Sequence, residues 1–186
     1  MSPRFFLLIT LCAFAGLCRG ADDLTLEHQA GQLATRFIGK LKPQLQQAMS
    51  SGGPVQAIET CARVAPQIAD QLSAESGWQV KRVSLKSRNA SRGQPDSWER
   101  RVLLRFDQRQ SDGEAAASLQ YAEYDGKRFR YMKAQGVEPL CLTCHGQDLA
   151  APVRSVLQEY YPDDWATGYT LGQVRGAISL TKALPH

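Results

Sequence analysis

The chain has 186 residues, 22 Lys plus Arg against 18 Asp plus Glu, 43% hydrophobic residues and five cysteines, at Cys12, Cys18, Cys61, Cys141 and Cys144. Mixed charge and ordinary Gly and Pro content exclude a disordered tail or a fibrous repeat, and the length sets one globular domain as the default. The formal charge of +4 falls to +2 without Arg4 and Arg19, too little for a nucleic-acid footprint, which needs Lys and Arg clustered on one face.

Residues 1–20 read as a secretory signal peptide. Arg4 supplies the positive start, Phe5 to Leu17 the short apolar run, and Gly20 and Ala21 the small residues of a cleavage site. No other stretch approaches the roughly 20 apolar residues that a membrane span needs. The expectation is a periplasmic domain over 21–186, without a transmembrane segment once the leader is removed. A chain of that size buries about 70% of its unfolded surface and needs no disulfide to fold.

The predicted elements begin with a helix over 24–49, on the apolar stripe Leu26, Ala30, Leu33, Phe37, Leu41 and Leu45, and Ser50 to Gly53 end it. A second helix starts at Pro54, a residue suited to a first helical position, and stops at Ser76-Gly77. Pro66 should kink it just after Cys61. Trp78 to Leu85 reads as a strand, Lys86 to Pro95 as a polar loop, and Asp96-Ser97-Trp98 as the start of a short helix through Phe106. In that helix Glu99-Arg100-Arg101 is expected to form a solvated face. Asp125-Gly126 between Leu119–Tyr124 and Lys127–Lys133 signals a hairpin. A helix near Pro152–Tyr160 and a strand over Val174–Leu180 close the chain, and Gly168, Gly172 and Gly176 suit tight turns and close backbone approach. Two helices, then an antiparallel sheet with helices in its crossovers, make an α+β chain resembling a PAS-like fold.

Removal of the leader leaves three cysteines in an oxidising compartment, an odd number. Two of them stand in Cys141-Leu142-Thr143-Cys144-His145, and C-x-x-C-H is the attachment signature of a c-type haem. Both thiols must reach the vinyl groups on one edge of the porphyrin while the next side chain places an imidazole on the iron. Roughly two in a thousand shuffled sequences of this composition would carry the motif by chance. The competing readings are a thiol–disulfide redox pair and half a zinc site. Zinc is weakened because no second C-x-x-C exists and His28 and His186 are terminal. The redox pair is weakened by Pro139 before the motif and Gly146 after it.

The third thiol, Cys61, shares the apolar face of its helix with Ile58, Ala65, Ile68 and Leu72. A buried cysteine is ordinary, but an unpaired thiol in an oxidising compartment suggests an occupied one. Cys61 is therefore the first candidate for the distal position on the iron, ahead of Met132 and of an open site; Met49, His28 and His186 are further candidates. A thiolate would lower the iron potential and a methionine would raise it. Haem propionates need cations or hydroxyl donors, and Lys86, Arg88, Tyr131, Lys133 and Arg175 lie near the inferred strand ends.

The blocks Glu59 to Pro66, Lys81 to Asn89, Pro95 to Glu99, Cys141 to Gly146 and Tyr161 to Asp164, with Gly168-Tyr169, Gly172 and Arg175-Gly176, carry a family resemblance. In that order they resemble the c-type haem family proteins, exported single-haem domains of PAS-like fold that occur alone or as sensors of signalling proteins. The resemblance covers nearly the whole mature chain; the loop Ala90-Ser91-Arg92-Gly93-Gln94 departs from it. It implies one haem c held through Cys141 and Cys144, His145 as proximal ligand and Cys61 as distal ligand.

Three functions follow as expectations. The first is a redox or small-ligand sensor in which reduction or a diatomic gas displaces Cys61, signalling through a separate protein. The second is an electron-transfer cytochrome whose ligands stay in place, serving a redox partner protein. A peroxidase is the least favoured, since no His or carboxylate stands where a distal acid or base would be needed.

Overall fold

The structure, a computed structural model, describes residues 15–184 and the side chains from Leu24. Residues 1–14 of the expected leader, and His186, lie outside the described residues. Helix α1 runs over Ala15–Ser76 and carries both predicted N-terminal helices. The two are one helix interrupted at Gly53, whose φ of 71° and ψ of −163° lie where only glycine is comfortable. The expected kink at Pro66 is absent: the backbone keeps helical angles there, so the change of direction belongs to the Gly53-Pro54 step.

Strand β1 (Gln79–Val83) follows, then the single helical turn α2 (Ala90–Gly93) inside the expected loop. Asn89 caps α2, and Arg92 pairs with Asp70 of α1, which fastens the segment departing from the family pattern. Helix α3 (Ser97–Ser111) runs five residues past the expected end at Phe106. Its start is a capping box: Asp96 accepts from the Glu99 backbone N–H, and Glu99 accepts from that of Asp96. That box turns Glu99 inward, so the expected solvated run is broken at its first residue, which is fully buried. Strands β2 (Gln120–Tyr124) and β3 (Arg128–Gly136) form the predicted hairpin. The one-turn helix α4 (Leu142–His145), α5 (Ala151–Tyr160) and β4 (Val174–Ala183) complete the chain.

The four strands form one antiparallel sheet in the order β1-β4-β3-β2. Side chains alternate between its faces. On one face Val80, Phe129, Tyr131, Ile178 and Leu180 pack against Ala30, Leu33, Phe37, Ile68 and Leu72 of α1. On the other, Met132, Ala134 and Ala177 pack against Trp98, Val102, Leu103 and Phe106 of α3. Helix α5 covers the second arm of α1, setting Val153, Val156 and Leu157 on Ile58. The architecture is α+β and PAS-like, as expected.

Candidate functional site

Three ends meet beside the second arm of α1: the C-terminus of β3, the start of β4 and the loop after β1. Between them lies a cavity of about 260 Å³, walled on the helix side by Ile38, Leu41, Leu45, Met49, Ile58, Cys61 and Ala65. On the opposite side stand Cys141, Cys144 and His145, with Arg82, Arg88 and Arg175 from the sheet and its loops. The two cysteines of the motif and the cysteine 80 residues before the first of them therefore share one chamber. All three thiols are free and half-buried. One helical turn brings positions three apart to the same side, which is why Cys141 and Cys144 can both open on the cavity. Cys141 Sγ also accepts from the Glu138 backbone N–H at 3.4 Å.

His145 ends α4 with its Nδ1 2.7 Å from the Ala166 carbonyl. A carbonyl oxygen only accepts, so Nδ1 carries the hydrogen and Nε2 keeps its lone pair. Such a second partner is what fixes the ring of a metal-ligating histidine. Arg175 Nε approaches the same Nδ1 at 3.1 Å; the shorter carbonyl contact decides the tautomer, and the guanidinium acts here through its charge. Burial first, then the charges of Arg175 and Arg88, hold the imidazole well below its usual range. The ring is thus neutral and suited to ligation.

The loop that supplies Ala166 is itself clamped. Asp164 accepts from the Ala166 N–H at 2.7 Å and pairs with Arg88 at 3.0 Å, and Arg88 also donates to the carbonyls of Cys144 and Ala166. Arg175 donates to Ser84 Oγ at 3.0 Å and to the Lys86 carbonyl at 3.3 Å, and lies over Tyr169. Burial lowers its pKa to about 10. Gly176 beside it touches β1 so closely that a Cβ would lie 2.4 Å from the Val83 carbonyl oxygen, so this turn of β4 into the site requires glycine. Burial pushes the Cys61 thiol up, against the charges of Arg82 and Arg88; without a metal it is a thiol.

A model of the Tll0287-like family matches residues 24–182. The chain belongs to the Tll0287-like family. Among solved structures it is similar to the crystal structure of the cyanobacterial heme-protein Tll0287, with a TM-score of 0.62 at 24% identity, covering 94% of this chain and 99% of that one. No curated protein matches it.

Within this member of the family, the cavity gathers Cys61, Cys141, Cys144, His145, Arg88 and Arg175. It does not gather Tyr131, whose hydroxyl donates to Gln120 Oε1 at 2.9 Å inside the core against α1. Met132 points to the other face, among Val83, Trp98 and Phe106, and both it and Lys133 lie off the cavity. The reason is the strand period: Tyr131 and Met132 occur where β3 is covered by α1 and α3 respectively, well before its end at Gly136. Lys86 is not among the cavity's lining residues; it donates to the Thr167 carbonyl at 2.8 Å and lies over Tyr169. His28 is exposed beside Gln32, while Met49 does line the cavity. Sequence reasoning missed Arg82, which lines the cavity with its Nε 3.2 Å from Gln135 Oε1. Its alternation with Val80 along β1, which packs against α1, was the available signal.

Proposed function

We propose that this chain is an exported, periplasmic haem c protein with a single haem, held by thioether bonds from Cys141 and Cys144. His145 is its proximal ligand and Cys61 its distal ligand. The observation that carries the reading is that the C-x-x-C-H residues and Cys61, remote in sequence, line one cavity, in a family that includes a heme-protein.

The residues present fit such a group. Apolar helix side chains make one wall. Once Lys42, Lys81 and Arg92 are paired with Glu138, Glu99 and Asp70, the lining keeps Arg82, Arg88 and Arg175, and among the described residues only Asp164, paired with Arg88, offers them a carboxylate. A flat, largely apolar group bearing two carboxylates matches that composition, because buried charges need compensation. Bound there, a haem would supply a one-electron iron couple. His145 offers Nε2, with Ala166 holding its ring. Burial keeps Cys61 a thiol in the haem-free protein, so ligation as thiolate would release one proton to solvent.

The role supported best is a redox or small-ligand sensor. Cys61 sits on the arm of α1 that follows Gly53, so its release frees a helix that also packs on the sheet and on α5. The signal then passes to a separate protein. The test is visible spectroscopy of the oxidised and reduced protein, with and without carbon monoxide or nitric oxide, beside Cys61→Ala. The reading expects Cys61→Ala to change the oxidised spectrum and gas to bind the reduced wild type. An unchanged oxidised spectrum removes Cys61 from the iron; failure of both gases to bind leaves the electron-transfer cytochrome.

A further inference from the structure

Four arginines line the cavity; Arg92 is paired with Asp70, and the other three differ in what the protein already gives them. Arg88 is neutralised by Asp164 at 3.0 Å and donates to two carbonyls. Arg175 is held by Ser84 and the Lys86 carbonyl. Arg82 has a single contact, from Nε to the neutral Gln135 amide oxygen at 3.2 Å, and no carboxylate within ion-pair distance among the described residues. Gln135 orients the guanidinium without cancelling its charge. The two terminal nitrogens, with no hydrogen-bond partner among the described side chains and carbonyls, are left for something that enters the cavity.

Place adds to this. β1 sets Arg82 on the sheet face that meets α1, the helix that carries Cys61. Arg82 and Cys61 line the same cavity. Arg175 lies against His145. A charged donor pair on the wall of the cavity that also holds Cys61 is the arrangement that receives an anion there.

We propose that Arg82, oriented by Gln135, is the anion anchor of the cavity, a subsite for one monoanionic group, either a propionate of the bound haem or a small free anion. The proposal rests on the haem reading above.

Two arms separate the sources. In the first, Arg82→Gln is combined with Cys61→Ala in the haem-loaded full chain, and azide and neutral imidazole are titrated by optical spectroscopy. A free-anion site predicts azide affinity about tenfold weaker in the Arg82→Gln background, with imidazole affinity within about twofold. In the second, Cys141 and Cys144 are replaced by Ser, and binding of haem is compared with binding of its dimethyl ester. A propionate site predicts that Arg82→Gln weakens haem about tenfold and leaves the ester unchanged. Arg82→Lys should restore part of either preference. If Arg82→Gln discriminates neither azide from imidazole nor haem from its ester, the anchor is overturned. If the wild type carries no haem, or Cys61→Ala leaves its spectrum unchanged, it is the haem or distal-ligand reading that has failed. Cys61→Ser replaces Cys61→Ala should the latter not fold.

Discussion

The two faces of the sheet treat charge in opposite ways. On the α3 face Glu99 is fully buried, and its oxygens are met by Ser179 at 2.6 Å, by Lys81 at 2.9 Å and by the Asp96 N–H at 2.8 Å. Arg130 completes the set, pairing with Asp96 at 2.7 Å and lying over the Trp98 ring at 4.2 Å. That network compensates its charges internally, leaving Arg130 Nε as the one buried donor without a hydrogen bond among the described residues. On the α1 face, beside the cavity, Arg82 and Arg175 have no carboxylate within ion-pair distance among the described residues, and Asp164 pairs with Arg88. A closed network is spent on holding the fold, whereas an open one of the same residue types is a request for a ligand. Burial is expensive for either, so the excess of cations on one face is the electrostatic mark of a site.

The comparison breaks first on covalent attachment. Cys144→Ser or Cys141→Ser should abolish fully attached haem, and the double variant should retain none through denaturing electrophoresis followed by haem staining. Glu99→Ala tests the α3 face: it removes the buried carboxylate that Lys81 meets at 2.9 Å and Arg130 at 3.6 Å, while Arg130 keeps Asp96, and should lower unfolding stability by about 3 kcal/mol. Its visible spectrum should stay that of the wild type, and urea titration alongside spectroscopy measures both. Asp164→Asn lies on the cavity side of the divide. Loss of the half of its pair that anchors Arg88 should cost about 3 kcal/mol and, unlike Glu99→Ala, should also alter the Soret band, because Asp164 holds the loop that holds His145.

A smaller effect follows from pH. The His145 imidazole is held well below its usual value of 6.5 by burial and by Arg175 and Arg88, so below pH 6.5 the unfolded chain binds a proton that the folded chain does not. Stability of the haem-free protein should therefore fall on acidification from pH 6.5 toward the folded value, at up to about 1.4 kcal/mol per pH unit. His145→Gln should flatten that slope in urea titrations across pH. Smallest is Tyr131→Phe, which removes one hydrogen bond to Gln120; it should cost about 1 kcal/mol and leave the spectrum untouched, in keeping with its place in the core.

Much of the fold was legible because it rests on local signals. The apolar spacing of α1, the Asp96 cap and the Asp125-Gly126 turn each act within a few residues. What misled was also local. Pro66 looked like the kink, yet a proline can sit in a helix with helical angles, while Gly53 departs from them because it alone can adopt a positive φ. Glu99 looked like part of a solvated run because its neighbours are charged; the capping box and Ser179, 80 residues on, decide otherwise. At the site, Cys141, Cys144 and His145 were legible from spacing. Tyr131 and Arg82 were misjudged because proximity to a strand end says nothing about which helix covers that strand.

The sequence by itself determined the C-x-x-C-H motif, the odd thiol and the α+β order of elements, since these depend on residue type and spacing along one chain. Only the tertiary structure decided that Cys61 lines the chamber of the motif, that Ala166 fixes the histidine tautomer, and that Arg82 enters that chamber without a carboxylate. Those facts depend on how loops far apart in sequence converge at the ends of β3, β4 and β1. No local periodicity encodes that convergence, because burial and charge compensation are properties of the packed whole.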